Sequence, residues 1–145
     1  MPRTKTAADG NRLLAALPRK DRQRLAAGCE PVTLLLGEAL AEPGECIHHV
    51  YFPTESFISL TTPTDSGATL EVGLVGNEGM LGISLILGVD FAPLHALVQG
   101  EGMALRMDTA TFRRELGRSR ALDRGMKRYL YVLMSQISQT AVCTH

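Results

Sequence analysis

Residues 75–98 hold the clearest chemical signal in the sequence, because four glycines in a short span lead into an apolar run. The glycines are Gly76, Gly79, Gly82 and Gly88. Glycine allows positive φ and lets the main chain approach a ligand closely, so successive backbone N–H groups can form a concave anion site. A segment of this kind predicts a pocket that cradles a phosphate.

The positive charge that usually completes a phosphate site is missing. A phosphate is normally held by at least one cationic side chain, most effectively by the paired N–H groups of an arginine. Lys and Arg are absent from residues 25–105, which include the whole glycine-rich segment. We therefore expect a loop that can approach an anion but has no cation of its own.

The composition indicates a single globular domain. The chain has 145 residues, of which 45% are hydrophobic, and this is enough for one buried core. Fifteen basic residues balance fifteen acidic ones, so the chain lacks the net positive charge of a typical nucleic-acid-binding domain. The basic residues fall towards the two ends of the sequence, which suggests solvated helices that flank an apolar sheet.

The sequence favours neither a membrane protein nor a protein built on disulfides or metal clusters. The longest apolar run, residues 80–89, is interrupted by glycine and serine, and no hydrophobic signal segment is seen, so we expect a cytoplasmic protein. Cys29, Cys46 and Cys143 are odd in number and form no CxxC pair. This pattern argues against a disulfide framework, a zinc site and an iron–sulfur cluster.

The remaining reactive side chains do not form a catalytic or metal-binding pattern. Glu71 and Glu78 are too few and too far apart for acid–base catalysis, and no Ser-His-Asp or P-loop pattern is present. His48 and His49 are adjacent, so on a strand their side chains point to opposite faces and cannot jointly bind one metal. We predict that the protein is not an enzyme and holds no metal.

Two short helices are expected near the start of the chain, after a disordered tail at residues 1–10. Asn11 can cap the first helix, which carries three leucines and ends at Pro18. The second helix begins near Asp21. Gly28 suits the left-handed conformation just after its end.

A mainly β region follows at about residues 30–107. Short runs rich in β-branched and aromatic residues alternate with Pro and Gly, which is typical of strands separated by turns. Residues 42–45 and 64–67 have turn compositions and are expected to form hairpins. The pattern predicts a small antiparallel jelly-roll β-barrel. The expected strands are residues 32–36, 49–52, 57–62, 69–75, 85–87, 96–98 and 103–106.

Two further helices are expected at residues 108–145. Asp108 can cap the first, which runs through Leu116. The second begins near Ala121 and repeats its apolar residues at spacings of four and three, which makes a continuous seam for a second copy of the chain. The same apolar side is wide enough to pack on the chain's own barrel as well, with or without a second copy. The predicted dimer-interface residues are Leu122, Met126, Tyr129, Leu130, Leu133 and Ile137.

These elements together resemble the sensor half of the Crp/Fnr family of bacterial transcription regulators over nearly the whole chain. Residues 43–45 and 48–52 are similar to the family's turn and the strand after it, and residues 71–76 resemble the strand that enters its phosphate-binding cassette. Residues 139–143 resemble the helix end before the family's hinge. In that family the last helix dimerises, and the hinge leads to a helix-turn-helix domain that this sequence does not contain.

The resemblance implies an α+β, mainly β protein with the cyclic-nucleotide-binding-domain fold, in which residues 11–145 form one sensor and dimerisation domain. It implies a homodimer that responds to an unidentified small-molecule effector and reaches DNA only through the missing domain. The competing interpretation is a stand-alone jelly-roll module that binds a small hydrophobic molecule or a partner protein.

The sequence departs from the family at the ligand site itself. Cyclic-nucleotide-binding members hold the ribose with a glutamate and the cyclic phosphate with an arginine. Here Ile83 stands in place of the glutamate, and Leu94, or nearby Pro93, in place of the arginine. Losing a desolvated arginine–phosphate pair costs on the order of several kcal/mol, so we do not expect cyclic AMP binding. Haem is not expected either, since no Cys or His matches the pattern of haem-sensing relatives. The candidate ligand-binding residues are Gly79, Met80, Gly82, Ile83, Ser84, Leu94, His95 and Ser138.

Two of these candidates have a structural alternative. His95 could meet an anion when it is protonated, but a histidine beside apolar neighbours is also a common structural residue. Ser138 lies where family members reach their ligand from the last helix, although exposure explains a small polar residue there equally well.

Overall fold

The computed structural model of the protein describes residues 7–143 and confirms a mainly β domain with flanking helices. Its α-helices are α1 (Arg12–Ala15), α2 (Arg19–Ala27), α3 (Thr109–Arg118) and α4 (Arg120–Cys143), and 3-10 helices lie at Ala7–Gly10 and Ile83–Leu87. Its strands are β1 (Glu30–Leu34), β2 (Ala39–Ala41), β3 (His49–Pro53), β4 (Phe57–Pro63), β5 (Thr69–Val75), β6 (His95–Gly100) and β7 (Gly102–Asp108).

The strands form two antiparallel sheets that do not close into a barrel. One sheet has the order β1-β7-β3, and the other has the order β2-β6-β4-β5. The predicted barrel is therefore wrong in its closure, although the antiparallel pairing is confirmed. The edge strands β1 and β3 carry Pro31 and Pro53, whose missing N–H groups weaken any pairing with a further strand.

The core lies between the two sheets and beneath the helices. Phe52 of β3 and Phe112 of α3 are both fully buried, with their ring centroids 6.3 Å apart in a tilted arrangement. Leu25 of α2 and Met126 of α4 are also buried, so helices from both ends of the chain cover one core. Burial of a large apolar side chain stabilises a fold by about 1.5 to 3 kcal/mol.

Helix α4 lies against the edge strand β5, and a glycine sets the distance between them. A Cβ atom at Gly73 would come within 2.9 Å of Gln136 Oε1 and 3.4 Å of Leu133 Cδ1. Gln136 Oε1 accepts a hydrogen bond of 2.8 Å from the backbone N–H of Leu74. One polar contact beside an apolar one therefore fixes the helix to the sheet edge.

Of the two predicted hairpins, one is confirmed and one is wrong. Residues 64–67 join β4 to β5, which pair directly, and Gly67 has a φ of 84°. Residues 42–45 also turn, with Glu45 N donating to Glu42 O at 3.0 Å, but they connect β2 and β3, which lie in different sheets. A local turn signal cannot show which sheet the next strand joins.

The predicted strand at residues 85–87 is wrong, because this segment is the 3-10 helix Ile83–Leu87. Gly82 and Gly88 flank it with φ values of 110° and 76°, and this left-handed conformation interrupts an extended chain at both ends. The prediction also misses β2, a short edge strand whose pairing with β6 is interrupted by a register shift.

The two predicted helix caps are confirmed. Asn11 Oδ1 accepts hydrogen bonds from the N–H groups of Leu13 and Leu14. Asp108 Oδ1 accepts a hydrogen bond of 2.8 Å from Thr111 N at the start of α3. Both side chains satisfy N–H groups that the first turn of a helix leaves without a partner.

Two smaller expectations differ from the structure. Ala7–Gly10 forms a 3-10 helix because Ala8 packs into the core, so this part of the predicted tail is folded. Residues 1–6 lie outside the described residues. Gly28 has a φ of −88° and stays right-handed, because its N–H closes the last turn of α2 onto Leu25 O at 3.0 Å.

Candidate ligand-binding cavity

Residues 76–94 of the glycine-rich segment form the connection between β5 and β6, and it contains one short helix. At Gly82 a Cβ atom would come within 2.7 Å of Val50 Cγ1, so glycine lets the segment lie close to β3. Leu81 and Tyr51 exchange backbone hydrogen bonds of 2.9 and 3.1 Å just before this point. The positive φ at Gly82 then turns the chain into the helix Ile83–Leu87.

The far end of the segment is held by the turn that precedes β3. Ala92 N donates to Glu45 O at 2.9 Å, and Ile47 N donates to Asp90 O at 2.8 Å, so the two backbones run side by side. Asp90 also forms an ion pair with Arg113 of α3. These contacts fix the shape of the loop on the side of β2 and α3.

A cavity of about 470 Å³ lies beside this loop. Its walls come from β2 and the following turn, from β4, from the glycine-rich segment and from α4. Leu40 and Ala41, Leu60, Ile83 and Leu133 are examples from these elements in that order. The volume is in the range of sites that bind small organic molecules.

Helix α4 supplies one wall of the cavity. Leu130, Leu133, Met134 and Ile137 line it, and their spacing places them on neighbouring turns of the helix. Leu133 belongs to the buried core, and Leu130 and Ile137 pack against that core. Any molecule in the cavity would therefore touch the helix directly.

The cavity offers few polar partners, and none of them in the described residues carries a permanent positive charge. Its polar lining includes Glu45, His48, His49 and Ser84, and none of the described lining residues is Lys or Arg. Glu45 and His48 are exposed, and the Ser84 hydroxyl already donates to Phe91 O at 3.2 Å. The site can bury apolar groups, but it provides no fixed positive charge for an anion.

Exposed apolar side chains of the segment also belong to the cavity lining. Leu87, Val89 and Phe91 are 64%, 46% and 54% exposed, and Met134 of α4 is 57% exposed. Isolated exposed apolar residues are common, but a group of them beside a cavity is typical of a ligand or partner contact site.

Five of the eight predicted ligand-binding residues line the cavity. Four of them lie at residues 80–84, at the start of the helix Ile83–Leu87, and the fifth lies just before β6. Their contact with a ligand remains a prediction. The five residues are Met80, Gly82, Ile83, Ser84 and Leu94.

Gly79 lies beneath the ring of Tyr129 and is outside the cavity lining. A Cβ atom at this position would overlap the tyrosine ring and hydroxyl. Tyr129 is 6% exposed, and its hydroxyl has no hydrogen-bond partner among the described residues. Burial raises the pKa of Tyr129, and the nearby charge of Glu78 raises it further. The Met80 N–H lowers this pKa, although it does not reach good hydrogen-bond geometry with the hydroxyl. Gly79 therefore serves packing.

The other two predicted residues also lie outside the lining. His95 Nδ1 is 3.6 Å from Glu42 Oε1, so the imidazole faces a carboxylate rather than an open anion site. Ser138 is exposed on α4, one residue beyond the last lining position, Ile137. These positions agree with a structural role for His95 and with simple exposure for Ser138.

The residues predicted for the dimer interface mostly face the chain's own core. Leu122 and Met126 are fully buried, and Tyr129 and Leu133 are each 6% exposed. The remaining two line the cavity. Packing on the chain's own domain, the alternative stated for this seam, thus buries four of the six positions, while Leu130 and Ile137 are half-buried. A dimer contact along the seam stays a prediction.

A different face of α4 is exposed. Tyr131, Val132 and Met134 are 73%, 56% and 57% exposed. The sequence periodicity did not indicate these residues. It identifies the most continuous apolar face of a helix, and in α4 that face packs against the chain's own core.

Several cavity residues were not predicted because they lie far from the glycine-rich segment in sequence. Ala41, Ile47 and Leu60 reach the cavity through the packing of β2, β4 and the intervening turn. The turn signal at residues 42–45 marks where the chain bends over the segment. No local pattern shows that this turn meets residues 90–92.

Comparison with known proteins gives a match in structure but not in sequence. No model of a known protein family matches the chain, and no curated protein does. The N-terminal domain of a transcriptional regulator from Streptomyces coelicolor A3(2) matches with a TM-score of 0.67 and 18% identity, over 94% of this chain and 95% of that one. A cyclic nucleotide-binding-like protein from Brucella abortus gives 0.60 and 22%, over 77% of this chain and 95% of that one.

A longer protein matches as well. The catabolite activator protein of Thermus thermophilus gives a TM-score of 0.73 at 11% identity, and the match covers 92% of this chain but 63% of that chain. The chain thus has the cyclic-nucleotide-binding-domain fold, as the resemblance implied, and Crp/Fnr-type regulators are among its structural neighbours. Identities of 11 to 22% establish the fold alone.

Two searches within the described residues gave negative results. None of their helices combines the length and the apolar character needed to span a membrane. They also contain no group of three or more His, Cys, Asp or Glu side chains placed to hold a metal ion.

Proposed function

We propose that this chain is the sensor and dimerisation domain of a Crp/Fnr-like transcription regulator, not an enzyme, and that it passes a signal to a DNA-binding domain outside these 145 residues. The observation that carries the proposal is the cavity whose wall includes α4. In the proposed protein, a ligand in the cavity would contact α4, the helix that leads towards the DNA-binding domain.

Helix α4 is suited to report whether the cavity is filled. Leu130 and Leu133 would contact a ligand, while Gln136 holds the helix to β5 through Leu74 N. A ligand that fits better against one helix position than another shifts the population towards that position. In a dimer, a shift of both helices changes the spacing of two DNA-binding domains and hence their affinity for paired half-sites.

Cyclic AMP is not the signal in this proposal. The positions that would hold ribose and phosphate are Ile83 and Leu94, or nearby Pro93, and all three line the cavity. A phosphate buried there would lose its hydration without gaining a cationic partner. Calorimetry with cyclic AMP should show no saturable heat at micromolar nucleotide, and tight binding would contradict this part of the proposal.

The exposed face of α4 is the dimer interface in this proposal. Tyr131 lies at its centre and is 73% exposed, and burial of such a side chain between two copies removes a large apolar area from water. Sedimentation velocity should show a dimer that Tyr131→Asp converts to a monomer. Leu36→Asp is the matched control, because Leu36 is 66% exposed and lies outside α4.

Dimerisation that can serve a DNA-binding domain is tested by attaching one. When residues 1–145 replace the dimerisation domain of a bacterial repressor, operator binding in a reporter strain should be restored. Tyr131→Asp should abolish it, and Leu36→Asp should not. A wild-type chain that is strictly monomeric and fails to support repression would reject the regulator function.

A further inference from the structure

We infer that the cavity takes an uncharged, largely apolar small molecule with no anionic group. This inference names the ligand class of the proposed function, and it rests on that function because it takes the cavity as the ligand site. Three features of the lining carry the inference: its apolar walls, the sign of its charge, and the few polar groups at its surface.

The walls favour an apolar ligand body. Leu40, Leu60, Met80, Ile83 and Leu133 approach the cavity from different elements, and each is buried or half-buried. An apolar molecule of matching size would cover these side chains and gain about 25 cal/mol for each Å² of apolar surface removed from water.

The charges disfavour an ion of either sign. An anion would meet Glu45 in the lining. No Lys or Arg among the described residues lines the cavity, so only the imidazoles of His48 and His49 could oppose that charge, and only when protonated. A cation would gain little from Glu45, because this residue is exposed and exposed ion pairs contribute about 0 to 1 kcal/mol. Burying either ion in the apolar part would forfeit its hydration.

A neutral polar group on the ligand would still find partners. The Ser84 oxygen donates its proton to Phe91 O and can accept a hydrogen bond from a ligand hydroxyl. His49 also lines the cavity, with its ring 6.4 Å from that of Tyr51, and a neutral imidazole can donate or accept. These groups orient a hydroxyl or carbonyl without requiring a charge.

Two fluorescent dyes with one skeleton test the inference on the full chain. N-phenyl-1-naphthylamine is uncharged, and 8-anilinonaphthalene-1-sulfonate carries the same rings with an added sulfonate. We expect saturable binding of one equivalent of the neutral dye per chain and about tenfold or greater weakening for the sulfonate. Equal or tighter binding of the sulfonate, or no saturable binding of the neutral dye below about 100 micromolar, would overturn the inference.

Variants locate the dye within the cavity. Ala41→Phe fills space at a half-buried lining position and should weaken the neutral dye about tenfold. Ala39→Phe is the matched control, because Ala39 is exposed on the same strand and is not part of the lining. Identical affinity in the two variants would place the dye elsewhere and contradict the inference.

A charge reversal provides a second test if Ala41→Phe fails to fold. Leu94→Arg adds a cation to the lining and should weaken the neutral dye while it strengthens the sulfonate about tenfold. Leu36→Arg, at an exposed leucine outside the lining, should leave both affinities unchanged. Wild-type preference in Leu94→Arg would contradict the charge argument.

The outcome separates this inference from the proposed function. A dimeric chain that supports repression but rejects the neutral dye would retain the regulator and remove the ligand class. A monomeric chain that binds the neutral dye in the cavity would retain the ligand class and remove the regulator.

Discussion

Asn11 Nδ2 donates a hydrogen bond of 2.9 Å to the backbone oxygen of Gly79 and so joins the first helix to the glycine-rich segment. The same amide donates to Pro53 O at the end of β3 at 2.8 Å, while its oxygen caps α1. Asn11 is fully buried, and both of its amide hydrogens are used. One side chain thus connects α1, the end of β3 and the glycine-rich segment.

Asn11→Ala should lower the free energy of unfolding by about 2 to 4 kcal/mol, because it removes the cap and leaves two buried carbonyl groups without a donor. Urea unfolding followed by circular dichroism measures the change. Asn11→Ser separates the two contributions, since its hydroxyl can keep the cap but cannot reach both carbonyl groups. If Asn11→Ser is as unstable as Asn11→Ala, the hydrogen bonds to the two carbonyl groups contribute more stability than the cap. If both variants unfold with nearly the wild-type free energy, the role of Asn11 is contradicted.

Gly79→Ala should destabilise the fold by about 1 to 3 kcal/mol, because the added methyl group overlaps the Tyr129 ring. The loss should shrink when Tyr129 is shortened to Leu, and a double-mutant cycle of urea unfolding measures this coupling. Gly125→Ala is the control, because Gly125 lies in α4 with open space around its Cβ position. That change should be neutral or stabilise the protein by up to about 1 kcal/mol.

Local features of the fold could be predicted from the sequence because local chemistry determines them. Asn11 and Asp108 cap helices through groups within three residues, and the turn at residues 64–67 reverses the chain between strands that pair directly. The apolar run at residues 85–87 looks like a strand, and only the conformation of Gly82 and Gly88 shows that it is a 3-10 helix.

The cavity could be predicted only in part because distant segments form it. The glycine spacing indicated the segment that contains Met80, Ile83 and Leu94, but the opposite wall depends on how β2 and α4 pack. The same limit applies to Gly79, whose close contact with Tyr129 bridges 50 positions of the chain. Spacing within one segment carries no information about such a contact.

Cys29 and Cys46 should differ in reactivity. Partial burial raises the pKa of Cys29 to about 12, so at pH 8 very little of it is the reactive thiolate. Cys46 is exposed, and a reagent can reach it. Iodoacetamide at pH 8, with peptides resolved by mass spectrometry, should modify Cys46 well before Cys29. Equal rates in the folded protein would contradict the burial of Cys29, and equal rates are expected in denaturant.

The cap at Asp108 should make stability depend on pH at the acidic end. The hydrogen bond from Thr111 N, followed by that from the Thr111 hydroxyl, lowers the pKa of Asp108 in the folded state. Because the folded pKa lies below the unfolded one, its contribution is fully present above the unfolded value of about 4 and is lost as pH falls through the folded pKa. The stability difference between wild type and Asp108→Ala, measured in urea, should therefore be constant at neutral pH and shrink below about pH 4. Asp65→Asn, in the exposed turn between β4 and β5, is the control for the loss of one carboxylate. If the stability difference between wild type and Asp108→Ala is the same at pH 3 as at neutral pH, the charge of Asp108 plays no part in the cap.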